Sequence, residues 1–394
     1  MEKKTPDYQF QKKPQEKQIM IAARSPISLK VVLDALDQME PSALSEELAA
    51  ARRELTAQWN DPALRETSMS GRDVRLPHFV LSQDELAQMS RIPKETWGRF
   101  IRYRYRFKVY PSQQRVGDFP IVVCVEPTSI CNLRCQMCFQ SDSSFSSDKS
   151  FLGRMDPGLF RQIIDEMVAH GCDSLVLASR GEPTLHPQFA EMLSYATAGI
   201  LDVKINTNAT RLSEALCHRI LEAAPNVVVF SIDSAEPAQY EEIRKGATFS
   251  DVLMQVKRFH EIRERHYPKA RTVTRVSATL FRPDQDTERI RRFWSEIADE
   301  VALHTAWPFW DSYHAPISDI VQPCALLWER VYIWWDGVVN PCDIDYKSML
   351  ALGKMPEQSL QEIWLGDNAQ GARRLHQQRL KNTLTPCNRC SGTC

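Results

Sequence analysis

The sequence predicts an α/β protein in which a parallel sheet forms an open or partial barrel, with helices before it and a cysteine-rich module after it. Short apolar, β-branched segments alternate with amphipathic segments, which is the pattern of buried parallel strands separated by covering helices. A doubly wound sheet would give the same pattern, and in both folds the site lies at the carboxyl ends of the strands. With 394 residues, 43% of them apolar, the chain can bury a sizeable core.

Residues 1–115 are predicted to form a mainly helical extension. Residues 41–59 carry apolar side chains at helical spacing, and residues 82–90 begin with a Ser-x-x-Glu capping pattern. Residues 99–108 interleave basic and aromatic side chains. This segment favours packing against the scaffold, with its cationic stems buried, over a surface for a polyanion or a partner.

The predicted barrel occupies residues 116–310. Its apolar strand candidates are residues 121–126, 174–179, 202–208, 226–233, 272–280 and 300–306. Amphipathic stretches such as 156–171 and 249–265 lie between them and are expected to be helices. The remaining residues, 311–394, are predicted to form a small module with a hairpin turn at Asp336–Gly337 and one or two helices. Such a module needs a metal to hold its fold.

The charge balance excludes several classes of partner. Lys and Arg total 49 against 50 for Asp and Glu, so no basic excess indicates nucleic-acid binding. No apolar run approaches the length of a membrane span. The first residues have the charge of a signal peptide but lack its apolar centre. We therefore expect a cytoplasmic protein.

Cysteine is the residue type that carries the functional signal. The chain has 11 cysteines, none precedes Cys124, and most fall into two groups, at 124–138 and 324–394. Tight groups in a long chain without a signal peptide indicate metal or iron–sulfur ligation in a reducing compartment. Cys131, Cys135 and Cys138 have the spacing C-x3-C-x2-C directly after the first predicted strand. A structural zinc site normally has four ligands, whereas three leave one iron of a cluster open to a substrate or cofactor.

This loop resembles that of the radical SAM superfamily, which carries the same spacing after strand one of a partial (βα)6 barrel. The resemblance implies a [4Fe–4S] cluster held by the three cysteines and S-adenosylmethionine (SAM) chelated at the open iron. It also implies reductive cleavage to a 5′-deoxyadenosyl radical, with electrons from a flavodoxin- or ferredoxin-type donor. Met137 departs from the family, which usually has an aromatic residue there, but its backbone is still expected to contact the adenine.

Further residues match the family at successive strand ends. Gly181 and Glu182 resemble part of its G-G-E-P motif, so Glu182 is expected to bind the SAM ammonium group and Gly181 to let backbone approach the ligand. Other candidate SAM contacts are Asn206 and Asn208 after strand three, Ser231 and Asp233 after strand four, and Arg275 on strand five. The alternative for these side chains is that they satisfy loop backbone or, for Arg275, form an ordinary ion pair.

The C-terminal cysteines resemble the SPASM/twitch extension of radical SAM enzymes. The spacing C-x12-G-x4-C, followed by a distant C-x2-C, implies one auxiliary [4Fe–4S] cluster in the shorter twitch form. Its expected ligands are Cys324, Cys342, Cys387 and Cys390, with Cys394 as a spare or alternate. A zinc site with four cysteine ligands is the competing interpretation.

Asp343 follows the second module cysteine directly. In related enzymes that oxidise an alcohol or thiol, an acidic residue at this place accepts the proton. A hydrogen atom lost from carbon, a proton passed to a base and an electron passed to the auxiliary cluster together make an oxidation. The alternative is that Asp343 or Asp345 only accepts backbone N–H groups. For an epimerisation, Cys172 or Cys217 would be the hydrogen-atom donor, whereas Cys124 is expected to be core.

The predicted function is therefore that of a radical SAM oxidoreductase, a dehydrogenase or epimerase. The expected substrate is a small polar molecule such as a sugar, a nucleotide sugar or an aminocyclitol, linked with carbohydrate biosynthesis. Residues 306–316, rich in aromatic side chains, would stack on a sugar or form a packed linker. Two alternatives stay open: radical modification of a peptide or protein, and a non-catalytic metal-binding scaffold.

Overall fold

A ten-stranded sheet forms the centre of the protein, seen here as a computed structural model that describes residues 18–21, 27–39, 45–61, 64, 78–305 and 312–390. The strands are β1 Gln18–Ile21, β2 Val122–Val125, β3 Ser174–Leu177, β4 Asp202–Thr207, β5 Val227–Ser231, β6 Val273–Leu280, β7 Glu300–Thr305, β8 Arg330–Ile333, β9 Val338–Asn340 and β10 Gly353–Lys354. Their order is β1-β7-β6-β5-β4-β3-β2-β8-β9-β10.

Strands β2 to β7 are all parallel and lie side by side in chain order. A doubly wound sheet would reverse its order at a switch point, and these six strands do not. The structure therefore confirms the partial (βα)6 barrel and excludes the doubly wound alternative. Strands β1, β9 and β10 add antiparallel pairs at the two edges of the sheet.

The helices pack on both faces of this sheet. They are α1 Leu29–Asp37, α2 Glu46–Asn60, α3 Gln83–Met89, α4 Trp97–Ser112, α5 Ser143–Ser146, α6 Pro157–Ala169, α7 Phe189–Gly199, α8 Glu214–Ala223, α9 Pro237–Ile243, α10 Phe249–His266, α11 Thr287–Trp294, α12 Leu360–Leu365 and α13 Asp367–Gln377. The start of helix α6 follows from its sequence. The side chain of Asp156 caps the amides of Gly158 and Leu159, and Pro157 occupies the first turn. None of the helices in the described ranges is both long and apolar enough to cross a bilayer.

The N-terminal helices cover part of the inner face of the sheet. Alternate residues of β2 separate the faces, because Val123 and Val125 pack under α6, whereas Val122 and Cys124 pack with α1, α2 and α4. The predicted capping box is present at Ser82. The basic and aromatic segment is the buried helix α4, which agrees with packing rather than with an exposed surface.

The C-terminal module extends the same sheet. Strand β8 pairs in parallel with β2, and β9 returns beside it through the predicted turn. Gly337 has φ +87° there, and a Cβ on it would lie 2.1 Å from the carbonyl oxygen of Met355. The predicted domain divisions after residues 115 and 310 stay predictions, and the second adjoins residues 306–311, which lie outside the described residues.

Candidate functional site

The three loop cysteines follow β2 and each thiol receives a donor. The amide of Leu133 lies 3.5 Å from Cys131 Sγ, and the amide of Gln140 lies 3.5 Å from Cys138 Sγ. The third thiol is 3.8 Å from a guanidinium nitrogen, Arg244 Nη1 to Cys135 Sγ. Such donors stabilise sulfur that carries negative charge, as a cluster ligand does.

Burial dominates the titration of these thiols. It raises the pKa of Cys131 to about 12 and also raises the pKa values of Cys135 and Cys138. The thiols therefore keep their protons at neutral pH unless a cation binds, and ligation must release those protons. Within the described residues, no group of three or more His, Cys, Asp or Glu side chains is arranged to hold a single metal ion. The three thiols instead border a shared cavity.

That cavity, of about 330 Å³, opens at the carboxyl ends of the strands. Its walls include the three cysteines and the other predicted positions Met137, Gly181, Glu182, Asn206, Asn208, Ser231 and Asp343. Its volume is in the range of sites for small molecules. The structure thus brings most of the predicted SAM contacts and the predicted base to one place.

Glu182 is the best supported of these contacts. Its carboxylate is buried, and Oε1 accepts from the amide and hydroxyl of Thr184 and from the hydroxyl of Thr207. Oε2 accepts from the amide of Asn208 at 2.7 Å, and a carboxylate oxygen has capacity for a second donor, such as a ligand. Burial raises the pKa of Glu182, and the binding of a cation such as an ammonium group opposes that shift.

Gly181 is required by the backbone around it. A Cβ at this position would lie 2.0 Å from the carbonyl oxygen of Thr128, in the loop that leads to the cysteines. The amide of Glu182 donates to the carbonyl of Ile130, 3.0 Å away, in the same crossing. Gly181 is therefore needed because the cysteine loop passes close to its backbone. The expected contact between Gly181 and SAM stays a prediction.

The strand-end amides and hydroxyls divide into occupied and unsatisfied groups. The Asn208 side chain bonds Asn132 and Thr210, so it already supports the loops. Asn206 Oδ1 and Ser179 Oγ are buried without a hydrogen-bond partner among the described residues. A bound polar cofactor would supply hydrogen-bond partners to such unpaired atoms on a cavity wall. The residues that line the cavity therefore fit SAM. The roles of Ser231 and Met137 stay predictions.

Arg275 was wrongly expected near SAM. It lies near the start of β6, at the opposite end of the strand from the cysteines, and does not line the cavity. Its guanidinium donates to the cross-strand carboxylate of Glu300, with Nε to Oε2 at 2.7 Å. The ordinary ion pair is therefore the correct interpretation.

A second arginine, Arg244, was missed in the sequence. It stands just after helix α9, lines the cavity, and donates to Asp233 Oδ2 over 2.6 Å as well as reaching Cys135. Asp233 also accepts from the amide of Thr279, so this expected SAM contact orients Arg244 instead. No local sequence pattern marks Arg244, because its partners come from β5, β6 and the cysteine loop.

The C-terminal cysteines also gather. Burial raises the pKa of Cys387 to about 12 and raises that of Cys342. Cys387 also lies close enough to Cys342 to raise the pKa of that thiol, and Cys390 has the same effect on the pKa of Cys387. Cys324 is placed by its amide, which donates to His376 Nδ1 at 3.1 Å. Cys394 lies outside the described residues, so the ligand set stays a prediction.

The two acids after Cys342 have different environments. Asp345 is fully buried and accepts from Tyr313 Oη and from the amides of Met349 and Leu350, so it stabilises its own loop. Asp343 is half-buried and lines the cavity that holds the loop cysteines. Burial raises the pKa values of both carboxyls, that of Asp345 to about 6.

Arg180 joins the module to the barrel. It pairs with buried Glu126 through Nε and Nη2, both at 2.7 Å, and donates from Nη1 to the carbonyl of Tyr346 at 2.9 Å. The ring of Tyr346 stacks on Phe139, the residue after Cys138, with centroids 5.0 Å apart. The loop that carries Asp343 is thereby tied to the loop that carries the cysteines.

The remaining candidate residues differ in whether they line the cavity. Cys172 and Cys217 are buried in the core under the outer helices and do not line it, so neither is the hydrogen-atom donor that an epimerisation would need. Cys124, expected to be core, does line the cavity. Of the aromatic segment 306–316, Trp307 and Trp310 lie outside the described residues, and Tyr313 packs on Tyr346 as part of the linker.

At one end of the partial barrel lie three loop cysteines, a strand-end carboxylate and a second group of cysteines. This combination is typical of α/β barrel proteins that bind iron–sulfur clusters. The profile of the radical SAM superfamily matches residues 125–293, and that of the iron–sulfur cluster-binding SPASM domain matches residues 324–391. The chain therefore carries a radical SAM domain followed by a SPASM domain. The first domain implies a [4Fe–4S] cluster and SAM, and the second implies auxiliary iron–sulfur clusters.

Curated relatives match over a limited segment. The tungsten-containing aldehyde ferredoxin oxidoreductase cofactor-modifying protein of Pyrococcus furiosus is 33% identical over 116 residues, 29% of this chain and 31% of that protein. The mycofactocin maturase MftC of Mycobacterium ulcerans is 30% identical over 138 residues, 34% of each chain. The chain thus spans about a third of the length of these relatives. A solved structure, native anSMEcpe with bound AdoMet, superposes with TM-score 0.50 and 15% identity over 69% of this chain and 88% of that chain, which supports the fold.

Proposed function

We propose that this protein is a radical SAM dehydrogenase that oxidises a hydroxyl-bearing carbon of a small polar, sugar-like substrate. The observation that carries the proposal is the placement of Asp343 in the wall of the cavity bordered by Cys131, Cys135 and Cys138. Asp343 also adjoins Cys342, a candidate ligand of the auxiliary cluster. The cavity therefore brings the loop cysteines, which start the reaction, together with a proton acceptor, and a candidate ligand of the electron-accepting cluster adjoins that acceptor in the chain.

Each group of side chains has a defined task in this proposal. When bound, SAM and the first cluster supply a radical that removes a hydrogen atom from carbon, and the auxiliary cluster supplies an electron acceptor. Glu182 Oε2 binds the ammonium group of SAM, and Arg244 holds charge near Cys135. Asp343 accepts the hydroxyl proton as the carbon is oxidised to a carbonyl. Electrons for the first step come from a flavodoxin- or ferredoxin-type donor.

Epimerisation is the second candidate because a thiol also lines the cavity. Cys124 projects from β2 into the same space as Asp343 and takes the place that sequence reasoning gave to Cys172 or Cys217. A thiol that returned a hydrogen atom to the opposite face of the carbon would invert it without a net oxidation of the substrate. One electron from the flavodoxin- or ferredoxin-type donor, with one proton, would then convert the resulting thiyl radical back to the thiol. Radical modification of a peptide or protein stays an alternative.

Replacing Asp343 by asparagine should separate oxidation from epimerisation. The change keeps the size of the side chain and removes the base, so product formation should fall by about 10² or more while SAM cleavage continues. Product and 5′-deoxyadenosine are measured together by liquid chromatography on the same anaerobic sample. Asp336→Asn, at the hairpin turn outside the cavity, is the matched control. It should leave both product formation and 5′-deoxyadenosine release unchanged.

Full activity of Asp343→Asn, with solvent deuterium incorporated at carbon, would overturn the oxidation and leave the epimerase. Loss of that deuterium in Cys124→Ala would then assign Cys124 as the hydrogen-atom donor.

Iron content should show two clusters. The anaerobically reconstituted chain should hold about eight irons and eight sulfides, because two groups of free cysteines are available for [4Fe–4S] ligation. Metal analysis with acid-labile sulfide measures both. A result near four of each, together with one zinc, would show that the C-terminal group is the zinc site instead.

A further inference from the structure

His376 is a fully buried histidine that contacts one of the C-terminal cysteines. It lies near the end of helix α13, and its Nδ1 accepts a hydrogen bond from the amide of Cys324 over 3.1 Å. A ring nitrogen that accepts carries no proton, so the proton of the neutral ring is on Nε2. The same contact excludes the imidazolium form, in which both nitrogens donate. Nε2 is therefore a donor and lacks the lone pair that an iron ligand needs.

This Nε2 donor has no acceptor within the part of the chain that the structure describes. His376 exposes no surface, so solvent does not reach the atom. A second buried donor without an acceptor among the described residues, Nε1 of Trp328, stands four residues after Cys324 at the end of the short helical segment Ala325–Trp328. Buried donors are nearly always paired, so two unpaired ones close to one cysteine indicate an acceptor that belongs to a bound group.

Another buried histidine shows what His376 lacks. His186 has the same arrangement at Nδ1, which accepts from the amide of Gln188 over 3.1 Å. Its Nε2 lies 3.0 Å from the carbonyl oxygen of Met155 and donates to it. The chain thus satisfies both ring nitrogens of His186, whereas for His376 the described residues satisfy only Nδ1.

An iron–sulfur cluster at the C-terminal cysteines would supply the missing acceptor. Cys324 is a candidate ligand of the auxiliary cluster, and the sulfur atoms of such a cluster accept hydrogen bonds. Lys381 is buried as well and donates to the carbonyl of Cys390 over 3.1 Å, so a cation also lies at this cysteine group. The Nε2 donor is neutral, so its effect does not depend on how that cation and the two carboxylates after Cys342 balance.

We propose that Nε2 of His376 donates a hydrogen bond to a sulfur atom of the auxiliary cluster and thereby raises the reduction potential of that cluster. The inference rests on the proposed function, in which this cluster accepts the electron that the substrate radical loses as its carbon becomes a carbonyl. That electron adds one negative charge to the cluster. A hydrogen bond to sulfur is stronger when the sulfur carries more negative charge, so the donor favours the reduced cluster.

Two substitutions of His376 separate the tasks of its ring nitrogens. His376→Asn places an amide oxygen where Nδ1 stands, so it retains an acceptor for the amide of Cys324 and has nothing in the place of Nε2. His376→Gln extends its amide N–H to the place of Nε2 and gives up the acceptor at Nδ1. The asparagine variant should therefore lower the reduction potential of the C-terminal cluster, and the glutamine variant should retain it.

Electron paramagnetic resonance at stepped potentials measures the midpoint of each anaerobically reconstituted full chain. Every variant is titrated with its loop cysteines intact and again with Cys135→Ala, because the second series identifies the signal of the C-terminal cluster. His376→Asn should favour the oxidised cluster by at least about tenfold, which is about 59 mV for one electron. His186→Asn is the matched control and should leave this midpoint unchanged.

Equal midpoints for His376→Asn and the unchanged chain would overturn the inference and leave a buried water as the acceptor of Nε2. A shift confined to His376→Gln would overturn it too, because only the bond to Cys324 would then matter. If His376→Asn does not fold, the unchanged chain labelled with ¹⁵N-histidine still decides. Its reduced C-terminal cluster should show a ¹⁵N coupling in pulsed resonance spectra, and absence of that coupling would contradict the hydrogen bond.

The same titrations distinguish this inference from the proposed function. A cluster signal whose midpoint is unchanged in His376→Asn removes the inference alone and leaves the auxiliary cluster as electron acceptor. Zinc in place of a cluster signal removes both. Full activity of Asp343→Asn removes the oxidation, while the measured effect of His376 on the cluster still stands.

Discussion

Cys135→Ala should abolish reductive cleavage of SAM, the largest functional effect expected of any single change. Cys135 is the buried central thiol of the loop, and its Sγ is the one that Arg244 contacts. Two remaining thiols cannot hold the open-iron cluster that the loop implies, so 5′-deoxyadenosine should fall to background in the presence of dithionite. Iron should fall to about four per chain, all of it bound by the C-terminal cysteines.

Cys217→Ala is the matched control for that variant. Cys217 is also fully buried, but it lies in the outer core with its thiol near the carbonyl of Leu212. Its replacement should leave iron content and cleavage intact, at a modest cost in stability. Sustained cleavage by Cys135→Ala, or by a variant without all three loop cysteines, would contradict the assignment of the cluster site.

Arg180→Met should cause the largest loss of stability. Removing the guanidinium leaves the carboxylate of Glu126 buried and unpaired, which costs about 3–5 kcal/mol in other proteins. It also releases the carbonyl of Tyr346, so the module loop loses a connection to the barrel. The shift is measured as the urea midpoint of the anaerobically purified chain.

An exposed arginine provides the comparison for Arg180. Arg219 pairs with Glu191 at 3.0 Å, but both side chains are about half exposed, so Arg219→Met should change stability by about 0–1 kcal/mol. Arg180→Lys should be intermediate, because a lysine cannot form the paired bonds to Glu126. Equal midpoints for Arg180→Met and Arg219→Met would show that the buried pair of Arg180 with Glu126 does not stabilise the fold as described.

The sequence contained most of the fold and the centre of the site. The three loop cysteines are close in the chain, so their spacing alone indicates shared ligation. Alternating strands and helices in unbroken order also lead to sequential parallel strands, with the site at their carboxyl ends. Glu182 was identifiable because it stands in a Gly-Glu-Pro sequence shortly after one of these strands.

The errors have a common physical origin. Arg275 was placed at the site because its strand was recognised, although it is near the beginning of that strand and pairs across it with Glu300. Cys124 is buried in the core as expected, but β2 is buried on both faces, so its apolar run does not indicate that this thiol also borders the cavity. Arg244 depends on partners that are distant in sequence, and only the assembled sheet reveals them.

Because β8 lies beside β2, the sheet can be completed only late in the synthesis of the chain. Val122 can pair with β8 only after Arg330 has been synthesised, whereas β3, the other neighbour of β2, is synthesised much earlier. During this interval β2 is an open edge strand, and the following cysteine loop lacks the ring of Tyr346 that stacks on Phe139. Long-range pairing of this kind is slow and leaves incomplete chains prone to aggregate. A chain truncated before residue 330 should therefore fail to form a smaller working barrel, because the SPASM domain supplies one side of the first radical SAM strand.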